Sequence, residues 1–187
     1  MHKFNPQHIQ KLMSEDRARE IRPESLLRKA GLKRGDVFVD VGCGPGFFTM
    51  TGATIVGGAG KVYALDTQQE MLDALKERRP PWFVKSLKSE ESTLPITDCE
   101  ADIALLAYML HETVDKRGFL REVLRILKTN GRLVIIDWKR IKEDKGPPIE
   151  DRLTELDVAV HVRSAGFEKV SVRSLNASHY MILASKP

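Results

Sequence analysis

The chain has two cysteines among its 187 residues, Cys43 and Cys99, and neither sits in a CxxC pair. Its five histidines show neither HxH nor HExxH spacing. A disulfide framework and a structural zinc are therefore not expected, and no metal ligand is assigned. Apolar runs are short: none approaches the roughly 18 to 20 residues that span a bilayer. The opening segment, MHKFNPQHIQ, lacks the apolar centre of a signal peptide. A cytoplasmic protein without a membrane partner is the expectation. Charge of one sign is not concentrated either, since 30 basic and 26 acidic residues are interspersed for a net charge of +4. That gives little reason to expect nucleic acid. The nearest basic cluster, Arg28, Lys29, Lys33 and Arg34, reads as a solvated helix end. Asn and Gln are scarce, three and four, a trait of heat-adapted proteins.

What is present is an ordinary globular composition, 42% apolar and 30% charged, at a length that suits one domain. Residues 1–35 read as a helical cap of two short helices, with starts at Ser14 and Pro23 and a stop at Gly31. Residues 36–187 read as the core. DVFVDVG, residues 36–42, is a β-branched apolar run without an amphipathic break, the mark of a strand buried on both faces of a parallel sheet. After it, helices at about 47–55, 68–78 and 116–127 alternate with strands at 61–66, 82–87, 102–110 and 132–138. A charged loop with Gly and two prolines, KEDKGPP at 142–148, joins this unit to a helix at 153–165. Two strands follow, 169–173 and 179–184, opposed across a short turn. The rhythm implies an α/β fold: a doubly wound, mostly parallel, seven-stranded sheet with right-handed crossovers and a C-terminal antiparallel hairpin.

The densest chemical signal is DVGCGPG, residues 40–46, between the first strand and the next helix. Glycines let the backbone turn sharply and approach a ligand, and the free amides of a helix start favour a negative group. Open α/β sheets bind ligands at this edge. The spacing is GxGxG, with Phe47 where a dinucleotide loop would place its third Gly. Asp40, two residues before Gly42, suits a ligand with an ammonium group, such as a methionine moiety, better than a pyrophosphate. Asp66, ending the second strand, is placed to accept hydrogen bonds from ribose hydroxyls or to cap the following helix. Glu90, in KSEESTLP, is placed to take the exocyclic amine of an adenine. GGAGK, residues 57–61, imitates a phosphate loop, but Val62 stands where Ser or Thr is needed and a strand follows instead of a helix.

On these residues the chain resembles the class I S-adenosylmethionine-dependent methyltransferases, in particular the small-molecule group with ubiquinone/menaquinone-biosynthesis and arsenite methyltransferases. VDVGCGPGFFT resembles the first motif of that family, and VYALDTQQEML its ribose and adenine motif. ESTLPITDCEADIALLAYMLHE is similar to its loop and fourth strand, and LKTNGRLVIIDW to its fifth-strand motif. The resemblance implies S-adenosyl-L-methionine as cofactor and S-adenosyl-L-homocysteine as product. It would place Asp40, Gly42, Gly44 and Gly46 around the methionine and ribose, and Asp66 on the ribose hydroxyls. Thr67 and Met71 would lie along the adenine, with Glu90 on its amine. The arsenite branch needs several metalloid-binding cysteines, which Cys43 and Cys99 do not match. The Asn/Asp-Pro-Pro-aromatic motif of enzymes that methylate amide or adenine nitrogens is replaced here by Tyr108-Met109-Leu110-His111.

Methyl transfer from a sulfonium requires an acceptor aligned about 3 Å behind the reactive carbon and little acid–base machinery. An acceptor that must lose a proton needs a base. His111 and Glu112, emerging at the end of the fourth strand, are the catalytic candidates. Tyr108 and Trp138 are placed to wall the acceptor pocket, and the N-terminal helices, with Phe4 and Met13, to close over the cofactor. Ordinary core packing also accounts for these four. A small-molecule acceptor is the favoured reading. A protein or RNA acceptor on the same fold, or a cofactor-binding subunit without catalysis, are the alternatives.

Overall fold

Successive side chains of a strand point to opposite faces, so a strand that is apolar throughout has to be covered on both. β1 (Val37–Val41), apolar except for Asp40, is covered in this way. Val39 and Val41 belong to one buried cluster and Phe38 to another. The computed structural model describes residues 9–187. Three short helices precede β1: α1 (Ile9–Leu12), α2 (Glu15–Ile21) and α3 (Pro23–Lys29). Two were expected. Ser14 and Pro23 do start helices, the Ser14 hydroxyl accepting from Arg17 N at 3.3 Å, and α1 is the additional turn before Ser14.

Beyond β1 come α4 (Phe47–Val56), β2 (Lys61–Asp66), α5 (Gln69–Glu77), β3 (Val84–Lys88) and β4 (Ala101–Ala107). A 3-10 turn (Leu110–Glu112) leads to α6 (Lys116–Ile126) and β5 (Leu127–Trp138). The chain ends with α7 (Glu155–Ser164), β6 (Glu168–Ser174) and β7 (His179–Ser185). The seven strands form one sheet in the order β3-β2-β1-β4-β5-β7-β6. β7 runs antiparallel to both neighbours, and the other pairings are parallel. Strand order reverses between β1 and β4, so the carboxyl ends of those strands flank the crevice where open α/β sheets hold ligands.

Three boundaries differ from expectation, each for a local reason. β4 stops at Ala107 instead of residue 110, because Tyr108 takes a left-handed φ of 60° after its N–H reaches Ile136 O at 2.7 Å. Leu110 keeps the apolar run going because it packs inward, fully buried. β3 starts at Val84, after a turn in which Val84 N bonds Pro81 O and Trp82 stands exposed. β5 begins early, at Leu127, but its register on β4 jumps between Ala101 and Ile103; the regular ladder is the expected 132–138. No helix among the described residues is long and apolar enough to cross a membrane.

Packing of α4 on the sheet gives a direct test. Gly52 is buried, and a methyl group added there would run into the ring of Phe38, itself fully buried. Alanine is the better helix former by about 1 kcal/mol, whereas overpacking a filled core costs about 1–3 kcal/mol. Gly52→Ala is therefore expected to lower stability by up to about 2 kcal/mol net, read as a lower urea midpoint. Helix propensity alone predicts a rise.

Candidate active site

After β1 the backbone turns through Gly42, Gly44 and Gly46, whose φ values of 69°, 54° and 83° are left-handed and strained for any side chain. This loop is pinned to the neighbouring strand. Cys43 N bonds Leu65 O at 2.9 Å, and Gly44 N donates to Asp66 Oδ2 at 2.9 Å. Asp66 Oδ1 accepts from Gln68 N at 2.9 Å, which shapes the entry to α5. Asp66 is not the cap of α5, whose N-cap is Gln68 without a side-chain cap bond; its carboxylate makes a turn with Gln68 N and also borders the crevice.

That crevice is a cavity of about 1130 Å³ at the carboxyl edge of the sheet. Asp40, Gly42, Gly44, Asp66, Thr67, Met71, Glu90, His111 and Glu112 all border it. Gly46, grouped with them on sequence, does not. It is the N-cap of α4, a side chain there would strike Leu75, and its carbonyl accepts from Arg78 Nη1 at 2.7 Å. Its role is to make the turn.

Asp40 is 1% exposed and accepts from Thr49 Oγ1 at 2.6 Å. Burial pushes its carboxyl up to about 7; the Thr49 hydrogen bond works against this and the charge of Asp66 adds to it. Nearby lies Arg17 of α2, which sequence reasoning did not single out. Its guanidinium covers the Phe47 ring at 4.4 Å and the Tyr108 ring at 5.1 Å, and Nη1 donates to Leu12 O at 2.6 Å. Burial lowers the Arg17 pKa, while Tyr108 and Asp40 act to raise it. No carboxylate among the described residues forms a salt bridge with it. Ser14, Glu20 and Ile21 border the cavity beside Arg17, so α2 covers it. Met13 instead meets Arg78 Nη1 through sulfur at 3.9 Å, and Phe4 lies outside the described residues.

His111 sits in the 3-10 turn after β4, its side chain 6% exposed, with Nδ1 2.9 Å from Asp137 Oδ1. Asp137 is the last residue but one of β5, 1% exposed, and its Oδ1 also accepts from Trp138 N at 2.9 Å. An ionised carboxylate only accepts, so the proton lies on Nδ1 and Nε2 is left as the basic nitrogen. Burial lowers the His111 pKa, but the hydrogen bond and charge of Asp137, helped by Glu112 and Asp151, outweigh it and the net direction is up. Glu112 Oε1 stands 3.9 Å from His111 Nε2 and contributes by charge.

Aromatic groups make the far wall. Trp138 of β5 and His179 of β7 are register partners with ring centroids 4.3 Å apart, and Tyr108 lies 5.9 Å from Trp138 and 5.2 Å from His179. Residues 144–148 close this end, with Gly146 laid against the Trp138 indole where a Cβ has no room. One buried side chain holds that segment. Arg152 donates to Pro147 O at 2.9 Å, Lys139 O at 3.1 Å, Ile141 O at 3.2 Å and Glu143 Oε1 at 2.6 Å, and also to Lys145 O.

Residues 39–135, which hold the glycine loop, Asp66 and the His111 turn, match the family described as "Methyltransferase domain". The chain belongs to this methyltransferase-domain family. A solved family structure, described as a SAM dependent methyltransferase from Aquifex aeolicus, superposes with a TM-score of 0.93 at 36% identity, covering 99% of this chain and 100% of that one. Among curated family members, the chloroplastic 2-phytyl-1,4-beta-naphthoquinone methyltransferase of Arabidopsis thaliana is 32% identical over 117 residues, 59% of this chain and 45% of that protein. The demethylmenaquinone methyltransferase of Lactobacillus johnsonii is 33% identical over 118 residues, 61% and 48% respectively. The chain spans about half the length of these two curated relatives.

Proposed function

We propose that this methyltransferase-domain protein transfers the methyl group of S-adenosyl-L-methionine to a small-molecule acceptor held at the ends of β4 and β5. The observation that carries the reading is a pair of groups of opposite charge type beside the glycine loop, the buried carboxyl of Asp40 and the half-buried guanidinium of Arg17. Asp40 and Arg17 border one cavity without forming a salt bridge to each other. A buried charge without an ionic partner is costly, and the ammonium and carboxylate of a methionine moiety would satisfy both. Asp66 would take the ribose hydroxyls, Thr67 and Met71 would line the adenine, and Glu90 would meet its amine. Gly42 and Gly44 would let the backbone pass close to the ligand. The quinone methyltransferases among the relatives support a small-molecule acceptor.

When bound, the cofactor supplies a sulfonium methyl whose C–S electron pair leaves with sulfur as the new bond to the acceptor forms. The protein's part is placement and one proton. His111 Nε2 would receive the acceptor's proton, Asp137 would hold the imidazole in that tautomer and favour the resulting imidazolium, and α2 would exclude water.

Calorimetry with S-adenosyl-L-homocysteine tests the cofactor site. Wild type is expected to bind. Arg17→Gln should bind about 10- to 100-fold more weakly, the scale of a lost charge-assisted hydrogen bond. Asp66→Ala should lose at least as much, with the thermal midpoint recorded because Asp66 also pins Gly44 and Gln68. Affinity should rise with pH through about 7 as Asp40 ionises to meet the ammonium. No heat from wild type at any pH would end the proposal.

A further inference from the structure

Two polar atoms on the aromatic wall have no hydrogen-bond partner among the described residues: Tyr108 Oη and His179 Nε2. Both residues border the cavity, and their rings meet edge to face at 5.2 Å. His179 is 3% exposed. Leaving such atoms unpaired costs about 1–3 kcal/mol each, and buried orphans in a native protein call for an explanation.

The neighbours of His179 decide what it can bind. Asn176 Oδ1 accepts from the backbone N–H groups of Ser178, at 2.9 Å, and His179, at 2.8 Å, so that atom is the amide oxygen. It lies 3.1 Å from His179 Nδ1, which must therefore carry a proton and donate. Burial keeps the ring neutral by lowering its pKa, although Glu20 and Glu143 pull the other way. Nε2 is thus a bare acceptor. Tyr108 Oη can donate and accept. A hydroxyl can serve both atoms, giving a proton to the imidazole and taking one from the phenol, whereas a carbonyl or an ether cannot give one.

Tyr108 also holds a left-handed backbone, φ 60°, a conformation that costs a bulky residue about 1–3 kcal/mol. The strain turns its ring onto the wall formed with Trp138 and His179. Neither orphan atom is open to solvent, and α2 overlies both rings through Arg17 and Glu20. Its hold is loose at this point: Asn176 Nδ2 reaches Glu20 Oε1 at 3.4 Å, and Glu20 is 3.8 Å from His179 Nδ1. A ligand group can displace the Glu20 side chain without breaking a strong bond.

We propose that Tyr108 and His179 form a recognition corner for a hydroxyl on an unsaturated ring of the methyl acceptor, distinct from the atom that receives the methyl. The proposal rests on the acceptor-site reading above, and it sets acceptor specificity and not the transfer step. Calorimetric titration of 2-naphthol and 2-methoxynaphthalene, into the protein alone and loaded with S-adenosyl-L-homocysteine, tests it. The methoxy probe lacks the donor and is larger by one methyl group, so the change of preference between wild type and the variants is the readout. Wild type is expected to prefer the naphthol about tenfold, the scale of one or two hydrogen bonds. Tyr108→Phe and His179→Gln should each cut that preference below about threefold, with S-adenosyl-L-homocysteine affinity unchanged. A structural tyrosine would lose thermal stability on Tyr108→Phe; removing an unpartnered hydroxyl should leave the midpoint unchanged or higher. Equal affinity for both probes in wild type, no measurable binding of either, or a full preference surviving in both variants would overturn the corner. Loss of S-adenosyl-L-homocysteine binding in wild type would instead sink the cofactor reading, and the comparison on the unloaded protein would still judge the corner.

Discussion

His111→Ala is expected to lower kcat by about 10²- to 10⁴-fold for an acceptor that must lose a proton, the usual worth of a positioned base. S-adenosyl-L-homocysteine affinity should hardly change. The pH profile carries the sharper prediction. Burial pulls the His111 pKa down but Asp137 more than restores it, so the rate should climb with pH through a value above the usual 6.5 for histidine. Asp137→Asn removes the charge and leaves burial dominant, so the acidic limb should move to lower pH even as kcat falls. A limb that stays in place would show that another group takes the proton. The same shift links to folding. With its pKa raised in the folded state, His111 adds stability that is fully present below the unfolded value and is lost as pH rises through the folded one. His111→Gln should flatten that part of the stability curve.

Arg152→Ala should cost about 3–5 kcal/mol, the range for breaking a buried ion pair by removing one partner. The lower end is expected because the Glu143 side chain retains 18% exposure, against 2% for Arg152. The guanidinium reaches four carbonyls and a carboxylate at once. A lysine ammonium has three donors at one point and cannot span them, so Arg152→Lys should rescue little. Urea unfolding gives the size of the loss. Because residues 144–148 border the acceptor end of the cavity, acceptor KM should rise while S-adenosyl-L-homocysteine affinity holds. Equal damage to both would place the effect in the whole fold.

How much of this was legible beforehand depended on whether the signal was local. Strand β2 falls at residues 61–66 as expected because an apolar run between Gly and a polar helix start needs no distant partner. The glycine loop and Asp66 could be placed at the cavity rim for the same reason, residue type and place in the βα rhythm, whereas Glu90, an acid in a polar loop, needed the family resemblance beside it. Asp137 could not. It hides in RLVIIDW, where an acid at a strand end looks like the edge of solvent; only the packing of the 3-10 turn against β5 buries it beside His111. Arg17 owes its role to how α2 folds back over the sheet, and His179 to the β5–β7 register. Arg152 serves carbonyls that follow no sequence pattern. Tyr108 was chosen as a wall residue, but its left-handed turn was masked by the apolar run that continues through it. Gly46 shows the reverse case, a motif glycine that caps α4 and does not border the cavity.

The two amides drawn onto Asp66 have one more effect. Gly44 and Gln68 are fixed to the same carboxylate by bonds internal to the protein, so the cradle's shape does not need a guest to set it. A loop held in this way would have little ordering entropy to lose on capture of a ligand.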